Sequence, residues 1–226
     1  MTRVKNISTL LLLTISLLAF PTTADAQRKK IIELPDTTPL FNGIEVSAEL
    51  VGIGMMQLGD YGQYEGALRI NLKDRYFPVV ELGYGKCDYE DKVTNIIYKT
   101  NAPYGKVGID FNVLKNKHDI YRLYIGARYA YTSYKVDFSC PNITDAYWGS
   151  TADWSMHDMK CSYHWAEVLF GTQVKLWGPF ELGWSLRYRK RISYSEGDYS
   201  KSWYVPGYGK SGKTNIMATF HVIFAI

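Results

Sequence analysis

The chain has 226 residues, a formal net charge of +4 and an aromatic content of 15%, with 19 Tyr and 19 Gly. The mild charge argues against nucleic-acid binding, because proteins that bind nucleic acids concentrate Lys and Arg on one face. After Phe20, no apolar run approaches the roughly 18 residues that mark a transmembrane helix. A membrane span beyond that point must be a closed β-barrel, since only helices and closed barrels satisfy all backbone polar groups in lipid.

The N-terminal segment has the layout of a secretory signal peptide. Arg3 and Lys5 precede an apolar run from Leu10 to Phe20, and Ala24 and Ala26 form an A-x-A cleavage pattern. An uncleaved anchor helix is the alternative, but about 20 apolar residues are needed to cross a bilayer. The predicted organisation is a signal peptide over 1–26, a periplasmic N-terminal extension over 27–42 and an outer-membrane barrel over 43–226.

Apolar and polar residues alternate with a period of two through the rest of the chain, which predicts β-strands. Each alternating segment is close to the ~9–11 residues that a tilted strand needs to cross a membrane. The fold class predicted is all-β, a closed antiparallel up-and-down transmembrane β-barrel of about eight strands. The segments are Ile44–Leu50, Tyr64–Leu72, Val80–Gly85, Lys106–Val113, Tyr121–Tyr129, Ala166–Lys175, Phe180–Arg189 and Ile216–Ile226.

The predicted connections differ in length between the two rims. Short turns and longer outer loops are typical of outer-membrane barrels, whose periplasmic turns are short. The short turns, marked by polar residues, Gly or Pro, are Lys73–Tyr76, Lys115–Asp119 and Trp177–Pro179. The outer loops predicted are Asp88–Asn101, Cys140–Cys161 and Lys190–Lys213, with a shorter Gln57–Gln63 in the first hairpin.

The polar faces of the strands carry acids and bases in equal number, which indicates an interior of neutralised pairs. Unpaired buried charge is costly, whereas paired and hydrogen-bonded charge is tolerated. Eight strands leave an interior that side chains fill, so we expect no open pore. The charged residues are Glu45, Glu49, Glu65, Glu81, Asp110, Glu167 and Glu181, with Arg69, Lys106, Arg122, Arg128, Lys175, Arg187 and Arg189.

The apolar faces carry aromatic residues near the strand ends, as expected where amphipathic rings meet lipid headgroups. A soluble barrel or sandwich has the same alternation with the apolar set inside, so periodicity alone leaves that alternative open. The outer interface is predicted at Tyr64, Tyr84, Tyr129, Tyr131 and Tyr188, and the inner interface at Phe111, Tyr121, Phe180 and Phe224.

In this architecture the chain resembles the small eight-stranded outer-membrane barrels of the outer membrane protein A and X type. It is most similar to barrel families of Bacteroidetes, many of which begin with a leader ending in Ala-Gln, here Ala26-Gln27. The final segment is similar to the terminal signal that the barrel assembly machinery reads. Such signals usually end in an aromatic residue, whereas here Ile226 is last and Phe224 lies two positions earlier, so recognition is expected through Phe224.

Few residues suggest catalytic or metal chemistry, and we predict no catalytic, cofactor or metal site. Ser162 and His164 share a face, but no acid completes a Ser-His-acid set, so an interfacial His beside Trp165 is the preferred interpretation. Asp153, His157 and Asp158 lack a recognisable ligand spacing, and we interpret them as solvated loop residues. The Gly-rich stretch at 208–213 lacks the spacing of a phosphate-binding loop and is interpreted as a flexible loop tip.

Two expectations concern the outer loops. Cys140 and Cys161 bracket the largest loop and are predicted to form a disulfide, with Cys87 left free. The loops also carry aromatics in a composition suited to recognition surfaces, although packing above the membrane is an equal alternative. The aromatics are Tyr147, Trp148, Trp154, Trp203, Tyr204 and Tyr208.

The sequence therefore predicts a non-enzymatic outer-membrane barrel that serves envelope integrity or loop-mediated surface recognition. The partners expected are outer-membrane lipid, the barrel assembly machinery and a surface ligand of unknown chemistry, with no nucleic acid and no cofactor. Two alternatives stay open: an outer-membrane lipid-modifying enzyme, and a soluble exported lipocalin-like binding protein.

Overall fold

The computed structural model describes residues 39–116, 119–144, 149, 151–195 and 202–226. The predicted signal peptide and nearly all of the extension lie outside these residues and stay predictions, as does any role of His118, Tyr147 and Trp148. In the part of the chain that is described, no helix is long and apolar enough to cross a membrane.

Eight antiparallel strands pair in a closed ring, in which each strand lies beside its neighbours in sequence and the last strand pairs with the first. The predicted fold class is confirmed. The ring consists of β1 (Phe41–Glu49), β2 (Tyr61–Leu72), β3 (Tyr76–Glu90), β4 (Ile97–Asn112), β5 (Tyr121–Thr144), β6 (Thr151–Trp177), β7 (Phe180–Ser195) and β10 (Thr214–Ala225). Three smaller elements complete the fold: helix α1 (Val51–Leu58) and the two-residue strands β8 (Tyr204–Val205) and β9 (Gly209–Lys210).

The two faces of the strands point as predicted. Leu68 lies opposite Val46 and Val80 on the neighbouring strands, and all three side chains are exposed on the outside of the ring. The predicted interior charges lie inside, with one exception: Lys175, near the end of β6, is exposed. It comes just before the turn into β7, where a long cationic side chain reaches solvent at the rim.

Two of the predicted long loops are largely strand. The loop over Asp88–Asn101 shrinks to a short connection between Glu90 and Ile97, and most of the segment over Cys140–Cys161 belongs to β5 and β6. These strands have 24 and 27 residues, far more than the ~9–11 needed to cross a bilayer. The strands therefore continue beyond the membrane on the outer side.

Helix α1 occupies most of the first outer connection. The loop predicted over Gln57–Gln63 is wrong at both ends, because Gln57 and Leu58 belong to the helix and Tyr61–Gln63 belong to β2. Buried Glu49 ends β1 and accepts hydrogen bonds from the backbone N–H groups of Val51 (2.8 Å) and Gly52 (2.6 Å), two of the N–H groups that a helix start leaves unpaired. Gly62 on β2 fits tightly under the helix, because a Cβ there would lie 2.3 Å from the backbone nitrogen of Met56. The helix is thus seated against β2.

Candidate functional site

The middle of the barrel holds a dense cluster of ion pairs. Lys106 Nζ lies 2.7 Å from Glu65, 3.5 Å from Glu81 and 3.3 Å from Glu167. Arg187 reaches the same three carboxylates at 3.3, 2.7 and 3.4 Å. All five side chains are buried. Arg128 also lies 3.1 Å from Glu81, and Arg189 lies 3.0 Å from Glu167. Four cations therefore share three anions in a region shielded from water, where charge is stable only when it is paired and hydrogen-bonded.

The charge network continues toward the inner rim. Arg128 contacts Asp110 at 2.7 Å, and Arg69 joins that carboxylate to Glu45 at 3.2 Å on each side. Arg122 then lies 2.6 Å from Glu45. The Arg128–Asp110 and Arg69–Glu45 pairs join neighbouring strands, whereas the Arg122–Glu45 pair joins β5 to β1 on the opposite side of the ring and so crosses the lumen.

Above the ion pairs, the inward face changes from charged to apolar. On β5, Arg128 is followed on the same face by Tyr134 and Val136, which are buried. On β6, Glu167 is followed by Trp165 and Tyr163, also buried. Trp165 Nε1 donates to Glu167 at 2.7 Å and so joins the two layers. The outer part of the barrel thus has an apolar core, as a water-surrounded β-barrel does.

The segment Ser202–Lys213, here called the plug, folds into the outer mouth of the barrel. Tyr98 donates its hydroxyl hydrogen bond to the carbonyl oxygen of Tyr204 at 2.6 Å, and Tyr204 in turn donates to the carbonyl oxygen of Gly62 at 3.1 Å. Arg189 donates to the carbonyl oxygen of Tyr208 at 2.9 Å. The interpretation of 208–213 as a flexible tip is wrong at Tyr208, whose side chain is fully buried.

Three of the predicted recognition aromatics lie in the plug. Trp203 stacks on Tyr89 with ring centroids 4.2 Å apart. Together with buried Tyr204 and Tyr208, it packs into the barrel mouth rather than presenting a free surface. Trp154, on β6, is 41% exposed and remains available at the surface.

Strands β5 and β6 project beyond the rest of the ring. The segments Thr132–Thr144 and Thr151–Tyr163, here called the β5–β6 arm, pair with each other along their length. Within the described pairings, β4 follows β5 only as far as Ser139, and β7 follows β6 only as far as Ser162. At about 3.3 Å per residue, the arm is about 40 Å long, and its tip beyond Ser139 extends about 17 Å past both neighbouring strands.

The polar side chains of the arm contact one another, and not a common centre. Lys135 donates to Asp158 at 2.7 Å, which lowers the pKa of that carboxyl. His157 lies 3.6 Å from Asp137, and Asp153 accepts from the backbone N–H of Asn142. Among the residues described, no three His, Cys, Asp or Glu side chains form a group that could hold a metal ion.

The Ser-His pair lies on the outer face of β6. His164 Nδ1 is 2.7 Å from the hydroxyl of Tyr129, and its ring packs against Tyr131 with centroids 4.5 Å apart. The partner of His164 is thus a phenol, where a hydrolytic triad needs a carboxylate that orients the base. This geometry describes an interfacial histidine in the outer aromatic ring.

The predicted disulfide is wrong. Cys140 lies opposite Trp154 and Cys161 lies opposite Tyr134, so the two cysteines are six residues apart along the arm. That offset is about 20 Å along a strand, while a disulfide requires Cα atoms within about 7 Å. None of the three cysteines forms a disulfide. The strands continue through the supposed loop, which removes the reason for placing its ends together.

The outside of the ring is an apolar belt bounded by aromatic rings. Tyr64 and Tyr84 lie opposite each other at the upper edge, while Phe180 and Phe224 meet edge to face at the lower edge. A soluble barrel places its charges outside, so the lipocalin-like alternative is not supported. A closed antiparallel ring with an apolar belt and a polar interior is the arrangement of outer-membrane barrels. The protein is an outer-membrane β-barrel.

Comparison of the sequence with known families gives one match. Residues 5–226 match the model of a family described as a domain of unknown function, DUF6048. The chain belongs to this family. A comparison with curated proteins finds no match.

Solved structures similar to this DUF6048 chain are small barrels of the bacterial surface. The N-terminal β-barrel domain of Pseudomonas aeruginosa OprF is 16% identical and covers 82% of this chain and 98% of its own, with a TM-score of 0.33. Neisserial surface protein A is 12% identical, with coverage of 82% and 99% and a TM-score of 0.43. The attachment invasion locus protein Ail of Yersinia pestis is 11% identical, with coverage of 81% and 98% and a TM-score of 0.41. Similarity at this level says nothing about activity or ligands.

Proposed function

We propose that this DUF6048 barrel is a non-enzymatic outer-membrane protein that presents the β5–β6 arm for recognition at the cell surface. The observation that carries the proposal is the reach of the arm beyond the strands on either side. The base of the arm has one face packed, at Tyr134, Val136 and Phe138, and the tip over Thr151–Ser155 is exposed on both faces. The packed base holds the hairpin in place, so a ligand binds it with less loss of chain entropy than a free loop would incur.

The filled interior supports a role at the surface rather than in transport. Ion pairs cross the lumen at the level of Lys106 and Arg187, and the plug packs above them. The contacts of Ser162 and His164 give no support to a lipid-modifying enzyme. We also propose that the chain is a barrel of the Bacteroidetes type, as the leader ending in Ala26-Gln27 suggests. We propose likewise that the barrel assembly machinery recognises β10 through Phe224.

Envelope integrity is the second candidate function. It is favoured by the network of buried ion pairs that joins strands across the ring, from Arg122 near the inner rim to Arg189 under the plug. A barrel whose strands are joined across the lumen by ion pairs resists deformation within the bilayer. In this case the barrel itself, and not the arm, carries the function.

The two candidates are separated by shortening the arm. Replacing residues 137–158 with Asn-Gly, which forms a tight hairpin turn, joins Val136 to Met159, which already lie opposite each other. The matched control replaces Lys92–Asn95 in the β3–β4 connection with the same dipeptide. Purified proteins in lipid nanodiscs are tested against arrays of immobilised glycans and extracellular-matrix proteins, and cells carrying each variant are tested for detergent sensitivity.

Surface recognition predicts that the full-length chain and the control bind a member of the arrays, that the arm-shortened variant does not, and that detergent resistance is unchanged. The opposite outcome is that the full-length chain, the control and the arm-shortened variant give equal array signals, and that cells lacking the whole barrel lose detergent resistance. This result would assign the function to the barrel and refute recognition by the arm.

A further inference from the structure

The wall of the barrel has a break on its outer half. Strand β1 follows β10 only as far as His221, and the N–H of Leu50 then donates to the carbonyl oxygen of Phe220 at 2.8 Å. From Ala218 to Thr214, β10 pairs with β7 on one side and, within the described part of the chain, has no strand partner on the other. Helix α1 takes the place of β1 there, and it packs on β2 through Gly62.

A crevice of about 340 Å³ lies in this break, between α1 and β2 on one side and β10 on the other. Its lining includes Val51, Met55, Ile216, Met217 and Ala218, which make it mainly apolar. The volume falls within the ~300–1,000 Å³ typical of ligand sites. Ile216 and Ala218 of the lining are exposed on the outer face of β10, so the crevice can be reached from the side where the lipid lies.

The depth of the crevice matches the outer headgroup boundary. Ile216 lies opposite Tyr188, and Gln63 is followed by Tyr64. Both tyrosines belong to the outer aromatic ring, where amphipathic rings sit at the level of the headgroups. A lipid of the outer leaflet therefore has its ester or amide carbonyls at the height of this opening and its acyl chains just below.

Two polar groups in the crevice have the chemistry to recognise such a lipid. Gln63 is 2% exposed, and its side-chain amide nitrogen has no hydrogen-bond partner among the described residues. A buried amide donor without an acceptor costs free energy until one arrives. At the top of the crevice, the ammonium of Lys210 lies over the rings of Trp203 (5.3 Å) and Tyr61 (5.9 Å), and no described carboxylate pairs with it.

We propose that this crevice is a lipid-binding site that takes one acyl chain of an anionic outer-leaflet lipid. The chain lies against Met55 and Met217, its carbonyl oxygen accepts a hydrogen bond from Gln63, and the charged headgroup lies beside Lys210. The site is separate from the β5–β6 arm and does not depend on what the arm binds. It depends only on insertion of the barrel in a membrane.

The experiment uses phosphatidylglycerol carrying a photoreactive diazirine in one acyl chain, in phosphatidylcholine liposomes that contain the folded protein. After illumination, the lipid cross-links are mapped by mass spectrometry. We expect labelling of the peptides around Met55 and Met217 to exceed that of the peptide around Val107, a lipid-facing residue that is more exposed than either methionine. Phosphatidylcholine with the same diazirine chain is expected to label the crevice less, and Lys210→Gln is expected to remove that difference.

Two kinds of variant test the crevice. Gln63→Leu keeps the approximate size and removes the donor, and it is expected to lower labelling about fivefold, as loss of one hydrogen bond would. Ala218→Trp at the mouth and Met217→Trp within it are expected to abolish labelling, while Val107→Trp is the matched control on the belt. Migration on an unheated detergent gel shows which variants are folded and inserted.

Crevice labelling no higher than that of the Val107 peptide would overturn the proposal. So would strong crevice labelling that neither Gln63→Leu nor Lys210→Gln changes, because the opening would then be an unspecific gap in the wall. A wild-type chain that fails to insert would instead count against the membrane placement itself.

Discussion

At the scale of single residues, the side chains inside the barrel differ according to whether lipid or water surrounds it at that level. Glu81 faces Lys106 across β3 and β4 at membrane depth, where the exterior is apolar. Further out on the same inward faces come Cys87 and Tyr98, where the exterior meets water. A lipid-facing belt cannot hold charges, so they lie inside. Above the membrane this constraint ends, and burial of apolar surface organises the core.

Leu68→Arg tests the lipid-facing assignment. The side chain is near the middle of the belt, where Arg costs about 2–4 kcal/mol, so we expect impaired insertion into liposomes. The folded fraction is measured by migration on an unheated gel, with Leu68→Phe as the control that keeps an apolar surface. Equal folding of both variants would show that β2 has its faces the other way round.

Arg187→Met tests the ion-pair cluster. The substitution removes one of the two cations that reach all three carboxylates of Glu65, Glu81 and Glu167. Lys106 stays beside all three, Arg128 beside Glu81 and Arg189 beside Glu167. Breaking a buried pair by removing one partner costs about 3–5 kcal/mol. Urea unfolding in liposomes is expected to show a loss of that order, while Lys175→Met, at the exposed rim, changes little. Equal stability of the two variants would mean that the interior is hydrated.

At the scale of elements, alternation was enough to find all eight strands but not where β5 ends and β6 begins. Tyr134, Val136 and Phe138 continue the alternation in the arm, but with the apolar face inward. A search for apolar residues on the lipid side therefore stops too early. The predicted disulfide failed for the same reason, since its two cysteines belong to continuous strands.

Two other elements, helix α1 and the plug, could not be predicted from the local sequence. Helix α1 has eight residues and is apolar nearly all round, so its sequence carries no helical period. The burial of the plug depends on partners distant in sequence, such as Tyr98 and Tyr104. The alternation of β2 is enough to place Gln63 on the polar, inward face. The crevice beside Gln63 could not be predicted, because it depends on the position of α1.

Gly207→Val tests the seating of the plug. Gly207 has a φ of +81°, and a Cβ there would lie 2.5 Å from the Tyr104 ring. We expect the plug to leave the mouth and trypsin to cleave it at Lys210 and Lys213, while the barrel stays folded. Gly212→Val, where the nearest atom would be 3.6 Å away, is the control. Equal resistance of the two variants to trypsin would contradict the packing described.

Cysteine labelling tests the correction in the arm. Cys140 is partly exposed, whereas Cys87 and Cys161 are 1% and 3% exposed. With no reductant present, a maleimide is expected to modify Cys140 in the folded protein and all three thiols after denaturation. Denatured, unreduced protein in which only Cys87 reacts would restore the Cys140–Cys161 disulfide.

At the scale of the whole molecule, the barrel combines two cores within one wall. The lower core is charged and lies within the apolar belt, and the upper core is aromatic and is closed by the plug. The arm extends from the upper core, and the proposed lipid crevice lies near the junction of the two. Each part follows from the same eight-stranded ring placed across a boundary between lipid and water.

The central claim is that this ring is a closed barrel inserted in the outer membrane, and cell fractionation followed by an unheated detergent gel tests it most directly. A barrel held by its hydrogen-bonded wall stays folded in detergent until it is heated. We predict recovery in the outer-membrane fraction and faster migration before heating than after it. Recovery as a soluble periplasmic protein, with the same migration before and after heating, would contradict the account.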